Sequence, residues 1–148
     1  MNVEKIIKTK NEIPLNRRTV IHFMLVNNKV NEAISEALKP FDVSLQQFNV
    51  LRILRGQNGK PANLSTLNNR MVTKMSNTTR LVDKLILKEY VDRITCPSNR
   101  RKIEINITQK GKKALKKMDV EMNHSEKTIL RNFSKKEMEH LNILFNKF

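Results

Sequence analysis

The stretch Met75–Gly111, MSNTTRLVDKLILKEYVDRITCPSNRRKIEINITQKG, changes its hydrophobic period once, and that change decides the fold. From Met75 to Tyr90 the spacing is helical. At about 100° per residue, Met75, Thr78, Leu81, Val82 and Leu85 share one face and Ser76, Arg80 and Asp83 the opposite one, with Asn77, Thr79 and Lys84 at its flanks. Past Tyr90 the period drops to two. Val91–Thr95 reads as a strand, Cys96–Arg101 as a turn, and Lys102–Ile107 alternates polar and apolar residues without a fault. A polar-faced helix therefore runs into a β-hairpin with a basic tip.

Upstream, Asn63–Arg70 has room for about two helical turns, with Leu64, Leu67 and Met71 on one side, and Val72–Lys74 breaks it from the polar-faced helix. Before the Gly56–Pro61 turn, Ser44 and Gln47 form a capping box that opens a helix carrying Phe48, Leu51, Ile53 and Leu54. Earlier still, Val20, Phe23, Met24, Val30, Ile34 and Leu38 recur at helical spacing between Pro14 and Pro40, which predicts one long helix over 15–38. Downstream, Thr108 is placed to cap a helix bearing Leu115, Met118 and Met122 and leading towards Phe133. Gly111 in its first turn weakens that start. Ser134 and Glu137 make a second capping box, which opens a last helix with Met138, Leu141, Leu144, Phe145 and Phe148.

A chain of 148 residues with only three Gly, four Pro and 39% apolar residues fits one helix-dominated domain, not a disordered chain or a turn-rich secreted β fold. One cysteine excludes an internal disulfide framework and any zinc module built on paired cysteines. No apolar run is long enough for a membrane span or a signal peptide, so a soluble protein of the reducing cytoplasm is expected. The outlier is charge. Lys and Arg total 29 against 14 Asp and Glu, a net of +15, and residues 60–117 alone hold 15 basic and 4 acidic groups, a net of +11. Such a field attracts polyanions. Tyr90 is the one aromatic in that region, which argues against a lipid-inserting helix.

Short helix, break, polar-faced helix, then basic hairpin is the order of a winged helix-turn-helix. The major groove of B-DNA admits one α-helix, and reading base edges requires compact donors and acceptors on its outward face. Ser76, Asn77, Thr79, Arg80 and Lys84 are the candidates, with Lys74 just before them. Ser65 and Thr66, on the preceding helix, can bind phosphate through hydroxyl and amide groups, and Arg100 and Arg101 at the hairpin tip can reach a neighbouring minor groove. Lys110, Lys112, Lys113, Lys116 and Lys117 read as a solvated face that adds long-range field.

SNTTRLVDKL, followed by VDRITCPSNRRKIEINITQKG, resembles the multiple-antibiotic-resistance (MarR) family of transcriptional regulators, over roughly residues 15–148. The resemblance implies a mainly α fold with a small β-hairpin wing. Residues of about 44–107 form the winged helix-turn-helix, and helices of about 15–38 and 108–148 dimerise. It further implies a homodimer binding a pseudo-palindromic operator on double-stranded DNA, usually as a repressor, released by a small phenolic or other anionic effector. Two departures stand out. The family's acidic residues before the wing arginines are replaced by Cys96-Pro-Ser-Asn99, and Lys88-Glu-Tyr90 stands where a glycine commonly ends the recognition helix. Asp83 is expected to pair with Arg100 or Arg101, as wing arginines do in the family.

No nucleophile–base pair, phosphate-cradling glycine loop or metal-ligand spacing appears, so neither enzyme chemistry nor a cofactor is expected. His22, His124 and His140 stand apart from one another. Nearby cations favour the Cys96 thiolate, which makes it a redox candidate, although a lone cysteine at a strand end is most often inert. The rival reading is an RNA-binding or nonspecific nucleoid-associated protein using the same basic surface.

Overall fold

Pro14 immediately precedes α2 (Leu15–Leu38), and Pro40 converts its end into a 3-10 turn, Lys39–Phe41. That turn closes on Asp42 in the left-handed region (φ 49°), whose carboxylate accepts from Lys88 Nζ. The Lys88 hydrogen bond holds the Asp42 carboxyl below its ordinary range. A computed structural model describes residues 1–73, 77–95 and 103–148. The remaining elements are α1 (Val3–Ile6), α3 (Leu45–Arg55), α4 (Leu64–Arg70), α5 (Thr78–Leu87), β1 (Val91–Thr95), β2 (Ile103–Ile107), α6 (Gln109–Leu130) and α7 (Lys135–Phe145). α1 is absent from the periodicity reading because one turn has no period to detect. It forms through the Asn2 cap on Lys5 N–H and through Glu4, whose carboxylate accepts from Arg18 Nε at 2.6 Å.

The capping residues act as their chemistry requires. Ser44 and Gln47 exchange side-chain-to-backbone bonds ahead of α3, and Ser134 and Glu137 do so ahead of α7. The Ser134 hydrogen bonds hold the Glu137 carboxyl below its ordinary range, so this box contributes fully near neutrality and fails as pH falls through the lowered value. Leu38, Phe48, Leu51, Leu67, Val82, Leu85, Ile105, Leu115 and Met118 are fully or almost fully buried in one cluster that joins α2 to α6.

β1 and β2 pair antiparallel, with Val91 opposite Ile107 and Arg93 opposite Ile105. Ala62 adds a third, one-residue bridge to Ile105, closed by two hydrogen bonds of 3.0 and 2.7 Å. A single residue carries no alternation, so this bridge has no sequence signature.

α5 ends without a glycine. Glu89 adopts φ 59°, its N–H bonds Ile86 O at 2.8 Å and Tyr90 N–H bonds Leu85 O at 3.0 Å, the paired bonds of a Schellman cap. A non-glycine residue in this region carries a steric cost of roughly 1–2 kcal/mol. Glu89→Gly should therefore raise stability by about 0.5–1 kcal/mol despite losing the exposed ion pair to Lys110. Thermal melting at fixed protein concentration checks this, and an unchanged or lower Tm would refute it.

Apolar residues lie bare at both ends of the chain. On α2, Val20, Phe23, Met24 and Val26 are exposed, and α7 buries no residue, with Ile143 and Phe145 at 61% and 50% exposure. Phe23 stacks on Phe148 edge-on at 5.6 Å between centroids and on Phe145 at 6.3 Å, so the first and last long helices meet. Among the described residues, no helix is long and apolar enough to cross a membrane.

Candidate nucleic-acid interface

The outward face of α5 is fixed from behind. Val82 and Leu85 are fully buried, and Thr78, 3% exposed, donates its hydroxyl to Asn68 on α4. A buried hydroxyl without a partner is costly, so this bond locks the angle between the two short helices. The helix is first described at Thr78 with Asn77 at its cap position, later than the expected start at Met75. Asn77 makes no side-chain cap bond and lies exposed, as do Thr79, Arg80 and Lys84. Arg80 and Lys84 are one turn apart on the face opposite Val82. Leu87, 84% exposed, continues that face past Asp83, a placement missed in reading only the polar side chains.

Asp83 accepts from Arg93 on β1 at 2.8 Å. Period-two alternation puts Arg93 on the same sheet face as buried Val91 and Ile105, so its guanidinium emerges at the margin of the core and meets α5. The pair joins the outer face of the helix to the hairpin through a residue of the strand, while Arg100 and Arg101, the partners expected for Asp83, lie outside the described residues. Its signal in the sequence was the parity of position 93 within the strand.

At the other end of α5, the Tyr90 carbonyl accepts from Thr108 N–H at 3.0 Å, and the Thr108 hydroxyl donates to Glu89 O at 2.7 Å. Thr108 Oγ1 in turn accepts from Gly111 N–H at 2.9 Å. A Cβ on Gly111 would lie 2.1 Å from the Tyr90 carbonyl oxygen. Gly111 is therefore required by close approach, which corrects the expectation that it merely weakens the helix.

On α4, Ser65 is exposed, whereas Thr66 donates both its amide and its hydroxyl to Asn63 Oδ1, at 2.8 and 3.1 Å. Thr66 thus belongs to the helix cap, and an incoming phosphate would have to replace Asn63. Lys74, Ser76, Cys96, Arg100 and Arg101 lie outside the described residues.

The sequence profile of the MarR family matches residues 43–103, which span this arrangement from the turn before α3 to the first residue of β2. The multiple antibiotic resistance protein MarR of Escherichia coli is 31% identical over 100 residues, covering 67% of this chain and 65% of that protein. A MarR-like transcription regulator from Bacillus cereus superposes with a TM-score of 0.79 at 26% identity, covering 89% of this chain and 94% of its own. A cysteine-to-serine mutant of E. coli MarR in complex with operator DNA superposes with a TM-score of 0.75 at 24% identity, over 99% of this chain and 98% of that one.

Proposed function

The chain belongs to the MarR family, and from that premise we propose that it is a sequence-specific DNA-binding transcriptional regulator that acts as a homodimer on a pseudo-palindromic operator. The observation that carries the reading is α5 itself. It is a helix anchored by Val82, Leu85 and the Thr78–Asn68 bond that presents Asn77, Thr79, Arg80 and Lys84 outward and is braced to a hairpin. Ser65 on α4 supplies a phosphate contact, and Lys74, Ser76, Arg100 and Arg101 complete the proposed interface. The E. coli relative bound to operator DNA has the same fold.

The winged helix-turn-helix occupies residues of about 44–107, and the helices of about 15–38 and 108–148 dimerise. Support for dimerisation comes from the apolar side chains left bare along α2 and α7, an area a monomer has no reason to expose. Two recognition helices would then enter successive major grooves about 34–36 Å apart. Repression follows if the operator overlaps a promoter.

An effector acts by binding the two spacings unequally. A cavity of about 480 Å³ lies between α2 and the start of α3. Among the described residues its polar lining is Asn27, Asn31, Ser35, Ser44, Gln46 and Thr73. Its amide and hydroxyl groups offer hydrogen bonds to a small polar effector.

Selection of bound duplexes from a random pool, followed by competition, tests the function. The selected duplex should displace scrambled duplex and RNA from a species of dimeric mass. Equal competition by RNA or scrambled DNA sinks this reading in favour of a nonspecific nucleic-acid binder.

A further inference from the structure

α6 turns Gly111, Leu115, Met118 and Met122 to the core. Apart from Gln109 and Ala114, the rest of its circumference over the first turns is lysine: Lys110, Lys112, Lys113, Lys116 and Lys117, all exposed. This distribution is unfavourable within the helix itself. Lys112 and Lys116, and Lys113 and Lys117, repel one turn apart, and the first turn sets positive charge against the positive end of the helix dipole with no acidic residue present. α7 shows the ordinary arrangement, with Glu137 in its first turn and Lys135 paired to Glu139. In α6 only Lys110 has an acidic partner, Glu89, among the described residues. The lysine face ends abruptly at Asp119, which pairs with Arg55.

We propose that the Lys112–Lys113–Lys116–Lys117 face of α6 binds the phosphate backbone of duplex DNA beyond the operator, as a second, sequence-independent contact surface. It rests on the DNA-binding reading above. Ammonium groups on flexible stems fit phosphates as point charges and lack the planar fork that reads base edges. A polyanion would also relieve the repulsion the helix otherwise carries. The face is rigidly tied to the recognition helix, because Thr108, its cap, bonds Glu89 O and Tyr90 O at the end of α5. α6 leaves from the base of the hairpin, where Val91 pairs with Ile107, so flanking duplex that bends back along the domain would meet it. An anionic membrane is the poorer fit, since among the described residues of α6 Val120 is the one large apolar side chain exposed beside these lysines.

The test uses the full-length protein and a variant with Lys112→Gln, Lys113→Gln, Lys116→Gln and Lys117→Gln. Two duplexes are compared, the selected operator core of about 20 bp and the same core extended by about two turns of scrambled sequence on each side. The wild type should bind the extended duplex about tenfold more tightly, with a salt slope steeper by ~0.9 for each added phosphate neutralised. The variant should lose that gain while holding core affinity within about twofold. Retention of the full gain overturns the proposal. So does equal weakening on both duplexes, which marks a long-range field instead of contact. Loss of binding to phosphatidylserine vesicles with the DNA gain intact assigns the face to lipid and also overturns it. Because like-charge pairs are removed, the variant should melt no lower than the wild type, and a lower Tm contradicts the repulsion on which the proposal stands. Failure of the wild type to prefer its operator core over scrambled DNA would instead defeat the underlying function.

Discussion

Replacing Arg80 by alanine is expected to remove most of the preference for the operator while leaving affinity for nonoperator DNA nearly intact. Arg80 stands outward in the first turn of α5, on a helix whose back is held by Thr78 and Val82. A guanidinium fork that reaches a base edge carries about 1–3 kcal/mol of discrimination. In a symmetric dimer the substitution counts twice, so a total of roughly 2–6 kcal/mol is at stake. Lys84→Ala, one turn further along, provides the contrast, because a flexible ammonium lacks the planar fork of Arg80 and meets phosphate as a point charge. It should weaken binding evenly across sequences and lower the salt slope by about 1 per site. Titrating both variants against operator and scrambled duplex separates the two roles. If Arg80→Ala weakens both duplexes alike, Arg80 touches phosphate and the reading face lies elsewhere on α5.

Gly111→Ala should destabilise the protein by about 3 kcal/mol, lowering Tm by roughly 6–12 °C. Helix propensity alone argues the other way, since alanine gains about 1 kcal/mol over glycine inside a helix. The steric effect is larger. The added methyl would sit 2.1 Å from the Tyr90 carbonyl oxygen and 2.9 Å from its carbon. That carbonyl already accepts from Thr108 N–H, so it cannot withdraw without breaking the junction between β2, α6 and the end of α5. Differential scanning calorimetry decides the sign. A variant as stable as the wild type would mean the junction yields freely, and the braced position of the hairpin would go with it.

These two residues also separate what could be read in the sequence from what could not. The long helix over 15–38, the two capping boxes and the strand Val91–Thr95 were legible because each depends on residues within a few positions of one another. Arg80 and Lys84 were legible as an exposed pair because helical rotation alone sets them opposite Val82. The left-handed Glu89 was legible only as a missing glycine. Thr66 looked like a free hydroxyl, since the choice between a phosphate and Asn63 is made by side-chain geometry.

The sequence by itself determined the order of elements, the ends of most helices and the concentration of positive charge over residues 60–117, because period, capping and charge are local or additive properties. Tertiary structure decided which partners meet. It brought Arg93 to Asp83, Thr78 to Asn68 and the Gly111 backbone to the Tyr90 carbonyl, and it left the apolar faces of α2 and α7 bare. Those outcomes depend on the packing of segments ten or more residues apart, and close packing turns a glycine that costs an isolated helix stability into the one residue its junction can hold.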